Sequence, residues 1–219
     1  MDANSLDHVA LWVTDRDHVA DVATTRLGMH VIDRTDAFTL VGSDARRGKL
    51  TLFGAEEPRE RGALAYVALR VSDLGAVGGE TKLDLGDGLD VRLVEAPTDV
   101  EYDLDHVALY ATDPEATAEA YLGLGFERAA PSEDGAPRVG VAGKHVEFHP
   151  GDPGAPEQPL LHHLAVLVDS AEEHRAEAEE AGIEVADFVD APNTLAVFVW
   201  GPERVKIEYV EHKPTFSLV

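Results

Sequence analysis

Residues 6–15 read LDHVALWVTD, and residues 104–113 read LDHVALYATD. Eight of the ten positions are identical at an offset of 98. A second, more diverged pair keeps the same spacing: LAYVALRV at 64–71 and LHHLAVLV at 161–168, offset by 97. Two matches at nearly one offset mark an internal duplication. All four stretches are apolar, β-prone and of strand length. The chain therefore divides into two related halves, 1–101 and 102–219. Each half holds two smaller units that open on the same strand, near residues 6, 64, 104 and 161.

The segments behind the opening strands repeat as well. Asp15 to Leu27 carries Val19, Val22, Ala23 and Leu27 at helical spacing. Asp113 precedes Pro114, a favoured first-turn residue, and that helix is expected to run to Leu122 with Gly123 behind it. Ser170 is placed to cap Ala171–Ala181, with Gly182 ending the helix. Short strands are expected next: 37–41 and 49–53, 138–141 and 145–149, then 183–189, 195–200 and 205–210. The second unit is eroded, since its helix position, Asp73–Gly79, contains three glycines. Linkers are expected at Ala96–Asp103 and at the Pro- and Gly-rich Pro150–Pro159.

The chain has 219 residues, 44% of them hydrophobic, enough to fill a core. Asp plus Glu number 42 against 18 Lys plus Arg, a formal charge of −24. Such a surface repels a phosphate backbone, so nucleic acid is excluded as a partner. Dispersed acids and only five lysines give a composition similar to salt-adapted (halophilic) proteins. There is no cysteine, which excludes disulfides, thiolate nucleophiles and cysteine-held metals. No apolar run approaches the roughly 18 residues of a membrane helix. The first residues form neither a basic nor an apolar signal region, so a cytoplasmic protein is expected.

A strand–helix–strands unit occurring four times behind DHVAL-like strands resembles the vicinal oxygen chelate superfamily, over almost the whole chain. That group includes glyoxalase I, extradiol ring-cleaving dioxygenases, methylmalonyl-CoA epimerase and the fosfomycin- and bleomycin-resistance proteins. The resemblance implies an α+β fold of four βαβββ units forming two open mixed-sheet barrels. It also implies a divalent metal held by residues of the first and last strands of each unit.

Matched positions supply the expected ligands. His106 and His163 open units three and four in the same register. Glu147 (His145-Val146-Glu147-Phe148) and Glu208 (Lys206-Ile207-Glu208-Tyr209) lie in the last strands of those units. Each Glu is flanked by apolar residues, so it faces away from them. His106, Glu147, His163 and Glu208 are thus the expected metal set, with His162 as the alternative to His163. Imidazole and carboxylate together suit Fe, Mn, Zn, Ni or Co. The N-terminal half offers His8, Thr51, Tyr66 and Arg92 at the equivalent places. This half is expected to be degenerate, with His8 a strand residue lacking partners. Tyr110, Phe188, Phe198 and Trp200 are placed near the metal by parity.

One working half and one silent half resembles a two-domain extradiol dioxygenase holding Fe(II) or Mn(II) through His106, His163 and Glu208. That family's acid–base His and Tyr are missing from Asp187–Trp200, where Phe198 stands about where the tyrosine would. Glu147, His145 and His149 are the candidate proton-transfer residues, with His212 just beyond Glu208. The alternative is a glyoxalase-I- or epimerase-like lyase or isomerase using all four ligands with Zn, Ni or Co, Glu147 serving as base. A third is a small-molecule-binding resistance protein without chemistry. In each case the partner is a small molecule, and open sheet edges favour a homodimer.

Overall fold

The helices start where a small polar side chain can take up a free backbone N–H. The computed structural model describes residues 3–217. Unit one comprises β1 (Ser5–Val13), α1 (Arg16–Arg26), β2 (His30–Arg34), β3 (Phe38–Gly42) and β4 (Lys49–Gly54). Unit two has β5 (Leu64–Val71), β6 (Lys82–Asp84) and β7 (Asp90–Glu95). Unit three has β8 (Asp103–Ala111), α2 (Pro114–Leu122), β9 (Glu127–Arg128), β10 (Arg138–Val141) and β11 (Lys144–Pro150). Unit four has β12 (Leu161–Leu167), α3 (Ala171–Glu180), β13 (Val185–Asp190), β14 (Thr194–Trp200) and β15 (Lys206–His212). The caps fall where the repeat places them: Asp15 accepts from the His18 N–H, Asp113 from Ala116 and Ser170 from Glu173. Unit two has turns instead of a helix. Asp73 accepts from the Gly75 N–H at 2.7 Å, and Gly78 and Gly79 take positive φ.

The strands form two mixed sheets. One has eight strands in the order β13-β14-β15-β12-β1-β4-β3-β2, and the other seven in the order β6-β7-β5-β8-β11-β10-β9. The fold is therefore the expected one, with few helices and two duplicated sheets. The sheets do not coincide with the halves of the sequence, however. Unit one joins unit four through the antiparallel pair β1·β12, and unit two joins unit three through β5·β8. Units two and three are consecutive in sequence, joined by the short β7–β8 connection, and meet through β5, which lies between β7 and β8. The two longer connections run side by side. Leu160 donates its N–H to the Glu60 carbonyl and accepts from Trp12.

Alternation then sets the chemistry of each sheet face. Val9 and Leu11 of β1 and Leu164 and Val166 of β12 point into one core shared by both sheets. His8, Ala10, His163 and Ala165 take the other face. Ala10 and Ala165 are fully buried there, and their small side chains leave room beside the histidines.

Candidate metal centre

Each DH pair lies at a β-bulge. The register of β1 against β12 jumps between Leu6 and His8, and that of β8 against β5 jumps between Leu104 and His106. The extra residue is Asp7 in one strand and Asp105 in the other. A bulge breaks strict alternation, so the carboxylate can reach the ring of the next residue. Asp7 Oδ2 is 2.8 Å from His8 Nδ1, and Asp105 Oδ1 is 2.7 Å from His106 Nδ1. A carboxylate only accepts, so Nδ1 carries the proton and Nε2 is the ring nitrogen turned outward.

In the eight-stranded sheet three such atoms converge. His163 Nε2 is 2.9 Å from Glu208 Oε2, His8 Nε2 is 3.2 Å from it, and the two Nε2 atoms are 3.1 Å apart. Glu208 Oε2 is buried without a well-directed hydrogen bond. Ligand atoms about 2.1 Å from one ion at right angles would be about 3 Å apart, so the set fits a divalent metal bound on one face. His162 fixes the second imidazole. Its Nδ1 is 2.5 Å from His163 Nδ1, while its ring packs between Trp12 and Phe53.

Burial, neighbouring charge and hydrogen bonds set the protonation of the cluster. Burial opposes charge on His8, but hydrogen bonds and charge from Asp7 and Glu208 outweigh it and raise its pKa to about 9. Burial holds His163 neutral, below its ordinary value. His162 is pushed down to about 3 by burial and by the neighbouring His163 and Lys206. Burial would raise the Glu208 carboxyl, yet the His163 and His8 imidazoles hold it well below the usual range.

The cluster lines a cavity of about 460 Å³ walled by Phe38, Phe53, Phe198 and Phe216, with Leu40, Thr51, His162, Asp187, Val189 and Lys206. Its walls come from β3 near one end of the sheet and β13 at the other, so the sheet curls round it. Lys49 is salt-bridged to Asp7 at 2.8 Å, with both side chains buried. The His212 ring stacks on Phe216, with Nε2 3.5 Å from Asp7.

The expected four-ligand set is split between the sheets. His163 and Glu208 meet as anticipated, but their third member is His8, not His106. His8 has partners because unit four, not unit two, lies beside β1. His106 and Glu147 meet in the seven-stranded sheet, 3.5 Å apart, with Tyr66 Oη 3.3 Å from His106. There Arg138 contacts Glu147 Oε1 at 3.3 Å, and the Arg92 guanidinium lies 3.5 Å over the Tyr66 ring. Register shows the two clusters to be copies. Glu208 and Arg92 stand opposite Ala165 and Ala68, and Thr51 and Glu147 opposite Ala10 and Ala108. One copy has His, His, Glu and Thr; the other has His, Tyr, Arg and Glu. His145 and His149 lie on β11 with the second copy, so they do not face the cavity. Of the four aromatics placed by parity, Phe198 lines the cavity and Trp200 flanks Lys206. Tyr110 belongs to the other sheet, and Phe188 packs against the shared core. Sequence reasoning missed His8, Asp7 and Lys206. The duplicated Asp-His pair was the available signal.

No family model matches the chain, and no curated protein matches it. Solved structures do. A "putative dioxygenase" from Bacillus subtilis is similar over 98% of this chain and 87% of its own, with TM-score 0.75 and 16% identity. Glyoxalase I from Zea mays is similar over 95% and 92%, with TM-score 0.68 and 15% identity. The cppA protein of Streptococcus pneumoniae is similar over 95% and 98%, with TM-score 0.59 and 13% identity. At such identities the likeness is one of fold, the glyoxalase/dioxygenase fold.

Proposed function

We propose that this chain, which has the vicinal oxygen chelate fold, is a metal-dependent enzyme acting on a small molecule with adjacent oxygens, in the manner of an extradiol ring-cleaving dioxygenase. The ligands are His8, His163 and Glu208. The observation that carries the reading is the convergence of those three atoms within 2.9–3.2 Å, with a threonine at the fourth strand position. Two histidines and one carboxylate leave open positions, the donor set of non-heme Fe(II) oxygenases. When bound, Fe(II) or Mn(II) would supply chelation of the two substrate oxygens and activation of dioxygen.

The chain's own residues orient and enclose the substrate. Phe38, Phe53 and Phe198 form flat apolar walls that accept an aromatic ring and displace water. Asp7 and His162 hold the two imidazoles with Nε2 outward. His162, neutral across the working pH range, accepts at Nδ1 from His163 and keeps its Nε2–H as a donor.

A glyoxalase-like lyase or isomerase is the second reading, favoured by the likeness to glyoxalase I. In that reading the fourth ligand doubles as base, but Glu147 lies in the other sheet and Thr51 stands in its place. Zn(II), Ni(II) or Co(II) would then serve. The deciding experiment loads the protein anaerobically with Fe(II) and monitors oxygen uptake with simple catechols at high salt. Oxygen consumption with a yellow product supports ring cleavage. Metal binding without oxygen uptake on any catechol overturns it in favour of the second reading. A chain that binds small molecules but no metal is a binding protein. A cytoplasmic location and a homodimer belong to the same proposal. Among the described residues no helix is long and apolar enough to cross a membrane.

A further inference from the structure

Four of the chain's five lysines have an evident setting. Lys49 pairs with Asp7, Lys144 with Asp103 and Lys213 with Asp190, while Lys82 is exposed to solvent. Lys206 is different. It is half-buried, it lines the cavity, and among the described residues no carboxylate lies within ion-pair distance of its ammonium. In a chain with 42 acidic residues this is unusual. An ammonium that lines the cavity with no counter-ion beside it leaves positive charge facing that space, which makes this end complementary to an anion that is not part of the protein.

The placement of Lys206 is directional. It stands two residues before Glu208 on β15, so both side chains share the concave face, about 7 Å apart along the strand. Its ammonium lies 5.1 Å from the Trp200 ring and 6.0 Å from the Phe198 ring, which confine the long side chain. Asp187 also lines the cavity, but it is exposed and accepts from the Phe188 N–H.

We infer that Lys206 is the anion-binding end of this cavity, so that the substrate is an organic acid: a flat apolar body with metal-chelating oxygens at one end and a carboxylate several bonds away. This rests on the metal-centre reading for its chelating end only; the carboxylate end depends on Lys206 alone.

The test compares acid and amide of one skeleton by calorimetry, at the lowest salt at which the fold holds. Mn(II)-loaded protein under nitrogen is titrated with 3,4-dihydroxyphenylacetate and with its neutral amide. Metal-free protein is titrated with phenylacetate and phenylacetamide. The acid is expected to bind at least tenfold tighter than the amide in both arms. In Lys206→Met that preference should vanish, with amide affinity and metal content unchanged, and in Lys206→Glu it should reverse. Equal affinities for acid and amide in the unaltered protein, or a preference that survives Lys206→Met, overturn the inference. If the protein takes up no Mn(II), the metal-centre reading fails, and the phenylacetate arm still decides the role of Lys206.

Discussion

The Asp7 carboxylate holds the Nδ1–H of His8 at 2.8 Å, although the two residues are neighbours in one strand. The bulge at Asp7 makes this possible, and the bond fixes which nitrogen faces Glu208. Loss of such an orienting carboxylate typically weakens metal binding about 10–100-fold. Asp7→Asn would also strand the buried Lys49 ammonium, so the cleaner variant is Asp7→Asn with Lys49→Met. Chelator competition should show that loss of affinity in the double variant with the fold retained. Unchanged affinity would remove the orienting role.

Metal should bind once per chain, not twice. The second cluster carries its own cations, with Arg92 in the place of Glu208 and Arg138 on Glu147. Elemental analysis should find near-complete loss of metal in His8→Ala, His163→Ala and Glu208→Gln. His106→Ala and Glu147→Gln should retain it. The reverse pattern would transfer the centre to the seven-stranded sheet.

Stability should fall in acid with a recognisable contribution from Asp105. Burial would raise its pKa, but hydrogen bonds and charge from His106 and Arg70 lower it to about 2, against an ordinary 3.8. The unfolded chain therefore takes up this proton first as pH drops. The stabilisation is complete above the ordinary value and is lost as pH falls through the folded one. Melting temperatures measured from pH 5 to pH 2 should drop less steeply below pH 4 in Asp105→Asn than in the parent.

Salt should raise the melting temperature. A net charge of −24 on 219 residues repels itself, and the range of that repulsion shrinks from about 30 Å at 0.01 M salt to about 3 Å at 1 M. Calorimetric scans in rising KCl should show Tm climbing through the molar range. A Tm that is flat or falls with salt would argue against adaptation of this surface to brine.

Much of the fold could be read directly because its signals are local. The duplicated strands, the caps at Asp113 and Ser170, and the His163–Glu208 pair all lie within single units. The pairing of units is not local. β1 and β8 are near-identical, so β12 has two almost equal candidates to pair with, and nothing within those ten residues distinguishes them. The wrong partner for unit four exchanged His106 for His8 and left the latter without apparent company. The Arg92–Glu208 equivalence marked unit two as an altered copy, yet did not say that His106 and Glu147 belong with it or that His8 joins His163 and Glu208.

Because β1 borrows its antiparallel neighbour from 155 positions downstream, units one and four enclose units two and three in chain order like nested brackets. The inner pair can close on itself as soon as β11 leaves the ribosome, whereas the first strand waits for almost the entire polypeptide. Until then the edge of that strand opposite β4 has no mate, and the outer bracket, which holds the proposed catalytic pocket, is the last to be shut.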